Sequence, residues 1–103
     1  MPIMYATYYG LFRKAARRYG YALTIHGSMR RDFDLVAIPW TEKAGTAIAL
    51  ITAMQKSIGI DLGEKPYTSI TQKPHGRVSY TMPTGCGGYV DISVMPLMDN
   101  NRD

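Results

Sequence analysis

The sequence has little of the chemistry that marks several protein classes. It contains one cysteine, Cys86, and two histidines in 103 residues. One cysteine excludes an internal disulfide, and a zinc cage built on thiolates would need three other ligands. No apolar run reaches the roughly 18–20 residues of a membrane-spanning helix, and the amino terminus lacks the basic-then-apolar layout of a secretion signal. We therefore expect a protein of the reducing cytoplasm with no membrane partner.

Acidic residues are absent from the first 31 residues of the chain. Residues 1–31 contain six lysines and arginines and no acid, whereas residues 32–103 contain six basic and eight acidic residues. The net charge of +4 is therefore the sum of a strongly basic segment and a weakly acidic one. A basic segment of this kind can bind a polyanion, but a solvated helix face with basic residues produces the same pattern. The charge alone leaves both interpretations open.

The length and composition predict one domain. An apolar fraction of 46% is ordinary for a globular protein, and 103 residues can support a single hydrophobic core. We assign this domain to residues 1–98 and expect the polar residues 99–103 to form a disordered tail.

Hydrophobic periodicity predicts two helices and about four strands. Apolar residues at three- and four-residue spacing predict a helix over residues 2–19, ended by Gly20. Thr41 is the predicted N-cap of a second helix that stops at Gly59. Alternating patterns predict strands over residues 21–26, 33–38, 76–82 and 89–95, and residues 60–74 are expected to be a long surface loop that could hold a short strand. The predicted fold is α+β: a mixed, mostly antiparallel sheet of about four strands with two helices on one face.

Three aspartates fall in or beside the predicted apolar strands. Asp32 and Asp34 are two residues apart, so their carboxylates are expected on one face, about 6.5–7 Å apart along the strand. Asp91 alternates with the apolar residues of the last strand and therefore points away from the core. Neighbouring carboxylates repel, and a shared Mg²⁺ or Mn²⁺ offsets that repulsion. The alternative is an exposed, acidic start of a strand, with Arg30 and Arg31 as neutralising neighbours.

These residues resemble a known family. Gly27-Ser28, followed by Asp32 and Asp34 in one apolar strand and Asp91 in a later one, is similar to the pattern of the nucleotidyltransferase superfamily, which shares the palm of DNA polymerase beta. The resemblance implies a minimal nucleotidyltransferase fold in which Gly27 and Ser28 contact a nucleoside triphosphate. It implies that Asp32 and Asp34 bind the metal, and that Asp91 completes the metal site and acts as the catalytic base.

The resemblance extends over roughly residues 20–96 and is closest to small nucleotidyltransferase-like proteins of phages and prophages. Family members usually have about eight to twelve residues between the Gly-Ser pair and the paired acids, whereas three residues stand there in this chain. Arg30 and Arg31 are therefore expected to supply phosphate contacts, because a guanidinium can bind a phosphate through two hydrogen bonds. The segment 73–77, which contains Lys73, His75 and Arg77, could contact a phosphate or an acceptor, or be an ordinary loop.

Two functions follow as hypotheses. The first is a phage-type protein that binds a Mg²⁺–nucleoside triphosphate and transfers a nucleotidyl group to a hydroxyl acceptor. The alternative is a non-catalytic phage accessory or inhibitor protein, which uses the same scaffold to bind a host protein or a nucleic acid through its basic first third. In either case the expected location is the host cytoplasm.

Overall fold

The computed structural model describes residues 3–26, 33–85 and 88–97, which form two α-helices, one short 3₁₀ turn and five strands. The elements are α1 (Ile3–Arg18), β1 (Tyr21–His26), β2 (Phe33–Pro39), α2 (Ala47–Ser57), β3 (Ser69–Gln72), the 3₁₀ turn Pro74–Gly76, β4 (Val78–Gly85) and β5 (Gly88–Val94). The α+β class is thus as predicted.

The five strands form one mixed sheet in the order β1-β2-β5-β4-β3. β1 pairs with β2, β5 with β4, and β4 with β3, all antiparallel. β2 and β5 run parallel, because β5 inserts between β2 and β4. The expectation of a mixed, mostly antiparallel sheet is thus confirmed.

The core lies between one face of the sheet and the two helices. Side chains from all four longer strands are buried there against residues of both helices. The fully buried side chains of large volume include Phe12 from α1, Leu35 from β2, Leu50, Ile51 and Met54 from α2, Met82 from β4 and Ile92 from β5. Gln55 is also buried, and its amide donates a hydrogen bond to the Pro83 carbonyl at 3.2 Å. This bond satisfies a polar group that burial would otherwise destabilise.

The sheet has one strand more than the sequence predicted. Residues 69–72, inside the segment expected to be a surface loop that could hold a short strand, pair with β4 and extend the sheet. All four residues of β3 are exposed, so the strand has no buried alternation by which its sequence could reveal it. Backbone pairing to the edge of β4 stabilises this strand, and side-chain burial does not.

The buried face of α1 is rotated from the predicted one. Phe12, Ala15 and Ala16 are buried, whereas Leu11 and Tyr19, both placed on the inward stripe by their spacing, are exposed. The helix uses small residues at two of its buried positions, which lets it lie close to the neighbouring elements.

The second helix begins five residues later than predicted. Its N-cap is Thr46, whose hydroxyl accepts a hydrogen bond from the Ala49 amide at 3.1 Å. Thr41 instead accepts from the Lys43 amide at 3.2 Å and closes a turn. The Gly45 amide donates to the Tyr19 carbonyl at 2.8 Å, so the segment before Thr46 is held against the end of α1 and cannot be helical.

Gly20 joins α1 to β1 at a point with no room for a side chain. Its φ is +86°, in the left-handed region that favours glycine. A Cβ built there would lie 2.7 Å from Thr41 Cγ2 and 2.9 Å from Ala44 Cα. Its carbonyl accepts from the Trp40 amide at 2.9 Å. The connection between helix and sheet therefore depends on this glycine.

Neither described helix combines the length and the apolar character needed to cross a membrane. The predicted tail, residues 99–103, and the tip of the last hairpin at residues 86–87 lie outside the described residues.

Candidate functional site

The sheet face that points away from the helices is open and polar. Along β2, β4 and β5, buried residues that face the helices alternate with partly exposed residues on the opposite face. Hydrogen-bonded neighbours on this open face form two rows across the sheet. One row runs through Asp34, Asp91, Thr81 and Ser69, and the next through Val36, Ser93, Ser79 and Thr71.

Asp34 and Asp91 are neighbours in the centre of the sheet. They are register partners on the parallel strands β2 and β5, and both side chains are half-buried on the open face. Neighbouring strands lie about 4.8 Å apart, so the two carboxylates are within reach of one shared ligand. Two carboxylates this close repel each other and favour a cation between them. The structure thus brings together two of the three aspartates that the sequence singled out.

A row of hydroxyl groups orients Asp91. The Ser69 hydroxyl donates to Thr81 Oγ1 at 3.0 Å, and the Thr81 hydroxyl donates to Asp91 Oδ1 at 2.9 Å. The Thr81 hydroxyl accepts one bond and donates the next, which fixes the direction of the chain toward the carboxylate. Asp91 is therefore held by β4, which in turn is held by the edge strand β3.

Two basic residues line the same shallow cavity as the aspartates. The cavity has a volume of about 230 Å³ and is lined by the charged residues Asp34, Asp91, Lys73 and Arg77, together with Leu35, Val36, Ser79 and Ser93. A tight loop brings the two cations together: the Lys73 amide donates to the Arg77 carbonyl at 2.8 Å, across a turn in which His75 has a φ of +66°. The formal charges of the four ionised groups cancel, so the cavity can receive both a cation and an anion.

Arg77 has an unsatisfied polar atom at this cavity. Its Nε is buried and has no hydrogen-bond partner among the described residues. A buried donor without a partner costs free energy, and an anion at the cavity would supply the missing acceptor. The guanidinium of arginine suits a phosphate because it offers several donors in a planar fork.

The donor set fits a small divalent cation. Mg²⁺ is usually bound by one or two carboxylates, with water and substrate phosphates completing its six ligands. Asp34 and Asp91 supply two carboxylates on an accessible face. Across residues 3–26, 33–85 and 88–97 there is no group of three His, Cys, Asp or Glu side chains that could hold a metal. The described residues therefore offer a two-carboxylate site of the type that needs a phosphate ligand.

Five predicted site residues fall outside the described part of the chain: Gly27, Ser28, Arg30, Arg31 and Asp32. The register shows where their segment is attached. His26, the last residue of β1, is the antiparallel partner of Asp34, and β2 begins at Phe33. The segment 27–32 thus joins two strand ends directly beside Asp34.

Sequence reasoning missed the hydroxyl residues of the site. Ser79 and Thr81 alternate with the buried Tyr80 and Met82, so their placement opposite the core was readable from β4 alone. Ser69 carried no such signal, because β3 is exposed throughout. The sequence did not show which strands are neighbours, and it therefore did not show which hydroxyl contacts Asp91.

Comparison of the chain with protein-family models, with curated proteins and with solved structures finds no match. The class of this protein is therefore defined by its fold and its candidate site alone. This is an α+β protein whose open sheet face carries an aspartate pair beside two basic side chains.

Proposed function

We propose that the open-face cavity binds a nucleoside triphosphate together with Mg²⁺ or Mn²⁺, as in a minimal nucleotidyltransferase. The observation that carries the proposal is the placement of Asp34 and Asp91 as strand neighbours in one cavity with Lys73 and Arg77. The aspartates suit the cation, and the basic side chains suit the phosphates that share it.

Each described residue has a defined part in this proposal. Asp34 and Asp91 ligate the cation, which would supply Lewis-acid polarisation of a phosphoryl oxygen. Lys73 and Arg77 bind non-bridging phosphate oxygens, and Arg77 Nε gains the acceptor it lacks. Thr81 fixes the carboxylate plane of Asp91. Outside the described residues, the proposal assigns Asp32 to the metal and Gly27, Ser28, Arg30 and Arg31 to the triphosphate.

The proposed chemistry is transfer of a nucleotidyl group to a hydroxyl acceptor. The acceptor oxygen forms a bond to the α-phosphorus while the bond from that phosphorus to the bridging oxygen of the β-phosphate breaks. Pyrophosphate leaves, and the hydroxyl proton passes to Asp91. Asp91 suits this role because Thr81 occupies one of its two oxygens, so that the carboxylate is held in one orientation.

The binding step is tested by thermal unfolding with Mg²⁺ and each nucleoside triphosphate. A ligand at one hundred times its dissociation constant adds about 2.7 kcal/mol to the free energy of unfolding, which raises the Tm of a domain this size by roughly 10–20 °C. We expect such a shift for the wild type with at least one triphosphate, and its loss in Asp34→Asn and Asp91→Asn. The unfolding temperature of each variant without ligand is its own reference, because each substitution removes both the carboxylate repulsion and the attraction to Lys73 and Arg77.

Glu64→Gln is the matched control. It removes one acidic charge from an exposed position outside the cavity, so it should retain the full nucleotide shift. The proposal is wrong if no triphosphate shifts the wild type in Mg²⁺ or Mn²⁺, or if both aspartate variants retain the shift. If a triphosphate raises the Tm but no pyrophosphate is released in the presence of candidate acceptors, the result would support the non-catalytic alternative on the same scaffold.

A further inference from the structure

A second cavity lies along β1, at the edge of the sheet opposite β3, and neither Asp34 nor Asp91 lines it. It has a volume of about 360 Å³ and is lined by Arg13 and Arg17 of α1, by residues 21–23 of β1 and by Trp40. We call it the edge groove. None of these lining residues is acidic, and residues 1–31 of the sequence include six basic residues and no acid. The charged side chains that line the groove, Arg13 and Arg17, are therefore both basic.

Contacts within the protein hold the helical side of the edge groove in place. On the helical side, the Tyr9 hydroxyl donates to the Leu23 carbonyl at 2.9 Å, which ties α1 to the outer edge of β1. The guanidinium carbon of Arg13 lies 5.9 Å from the centroid of the Tyr9 ring, a cation–π distance. Arg17 follows four residues later and so lies one helical turn further along the same face.

Trp40 also lines the edge groove. Its backbone amide donates to the Gly20 carbonyl, which fixes its position beside the end of α1, while its side chain remains 62% exposed. A large aromatic side chain that stays exposed on a fixed backbone offers a flat apolar surface to a ligand. The edge groove is therefore lined by two guanidinium groups and by an exposed indole ring.

We infer that the edge groove binds single-stranded nucleic acid, with phosphates at Arg13 and Arg17 and a base stacked on Trp40. Unpaired bases stack on aromatic side chains while basic residues follow the backbone, and this combination is the usual means of binding single strands without sequence preference. In a duplex the base faces are already stacked, and an acidic peptide without aromatic residues would leave the indole face uncovered. The inference is independent of the proposed nucleotide site.

The chain offers a direct readout, because Trp40 is its only tryptophan. Titration of the protein with an oligodeoxythymidylate of about 12 nucleotides should quench the Trp40 fluorescence, since a stacked base contacts the indole. A duplex of equal length should bind with much less quenching. Both titrations are done without Mg²⁺, and Asp34→Asn should give the wild-type result, which separates a failure here from a failure of the nucleotide site.

Helix α1 provides a matched pair of charge variants. Arg13→Gln with Arg17→Gln removes two exposed charges at the edge groove, whereas Lys14→Gln with Arg18→Gln removes two exposed charges that line a different cavity, between α1 and α2. Each phosphate contact in a single strand contributes about 0.7 to the slope of log affinity against log salt concentration. We expect the first pair to reduce that slope by about 1.4 and the second pair by less than half as much.

Trp40→Leu tests the stacking contact by fluorescence anisotropy of a labelled oligonucleotide. Affinity should fall about 5- to 150-fold, the range that loss of one base–aromatic stack gives, and Trp40→Phe should recover part of it. The inference is overturned if the oligonucleotide does not quench Trp40, if both charge pairs weaken binding equally, or if the duplex or an acidic peptide binds as tightly as the single strand. Unchanged Tm values for the variants establish that any loss is local.

Discussion

At the scale of single residues, Gly20 shows how two separate constraints can meet at one position. Its left-handed backbone disfavours any residue with a Cβ, and the Thr41 and Ala44 atoms beside it leave no space for that carbon. Gly59 has almost the same backbone, with a φ of +85°, but nothing lies within 4 Å of where its Cβ would be. The two glycines therefore separate backbone strain from steric overlap.

We predict that Gly20→Ala destabilises the protein more than Gly59→Ala. The left-handed conformation alone costs about 1–2 kcal/mol for a residue with a Cβ, and this sets the expected loss for Gly59→Ala. Gly20→Ala adds displacement of the Ala44 backbone, so its total loss should be about 3 kcal/mol or more. Urea unfolding of both variants measures the difference, and equal losses would show that the Ala44 segment moves aside without cost.

At the scale of secondary-structure elements, the start of α2 is decided by contacts outside the helix. The sequence analysis predicted Thr41 as the N-cap. Tertiary hydrogen bonds select Thr46: the Gly45 amide binds the Tyr19 carbonyl, and the Tyr21 hydroxyl donates to the Gly45 carbonyl at 2.8 Å. Both bonds hold Gly45 outside the helix, immediately before its cap.

We predict that Thr46→Ala lowers the free energy of unfolding by about 1 kcal/mol, the usual cost of losing an N-cap acceptor. Thr46→Ser should restore the wild-type value, because serine offers the same oxygen to the Ala49 amide. The comparison variant is Thr41→Ala, which removes an exposed turn hydrogen bond and the Cγ2 methyl beside Gly20 but no helix cap, and it should cost less. Chemical denaturation of the three variants tests the assignment, and a larger loss for Thr41→Ala than for Thr46→Ala would contradict it.

Local sequence patterns were sufficient for some elements and insufficient for others. β1, β2, β4 and β5 were predictable because their alternation of buried and exposed residues is strong. β3 was not, because none of its residues is buried. The alternation in β5 also placed Asp91 opposite the core, but its position beside Asp34 depends on a parallel pairing between strands far apart in the chain. Strand order is a property of the whole fold, and periodicity contains no information about it.

At the scale of the whole molecule, two buried tyrosines link stability to alkaline pH. Burial raises the pKa of Tyr21 and that of Tyr80 above the ordinary value of 10.0, with smaller contributions from neighbouring tyrosines. The folded state therefore keeps these protons at a pH at which the unfolded chain has begun to release them. By linkage, the free energy of unfolding decreases as the pH rises through 10 toward the folded-state pKa values.

We predict a stability that falls above about pH 10, and a shallower fall in Tyr80→Phe, which removes one titrating group. Urea unfolding at a series of pH values measures both slopes, with each protein's stability at neutral pH as its own reference. Because desolvation is the largest cause for both tyrosines, the slopes should persist at high salt, which screens charge interactions but not burial. A fall that disappears in high salt, or that Tyr80→Phe leaves unchanged, would contradict this explanation.

The parallel pairing of β2 with β5 has a consequence for how the protein folds. Within the sheet, the hairpin of β1 and β2 and the meander of β3, β4 and β5 meet only at this pairing. Joining them requires closure of a long loop, and contacts of this kind slow folding because chain entropy is lost before they form. Asp34 and Asp91 lie on opposite sides of this seam. The carboxylate pair is therefore assembled only when the two halves of the sheet have joined, so a cation bound between them would report on completion of the fold.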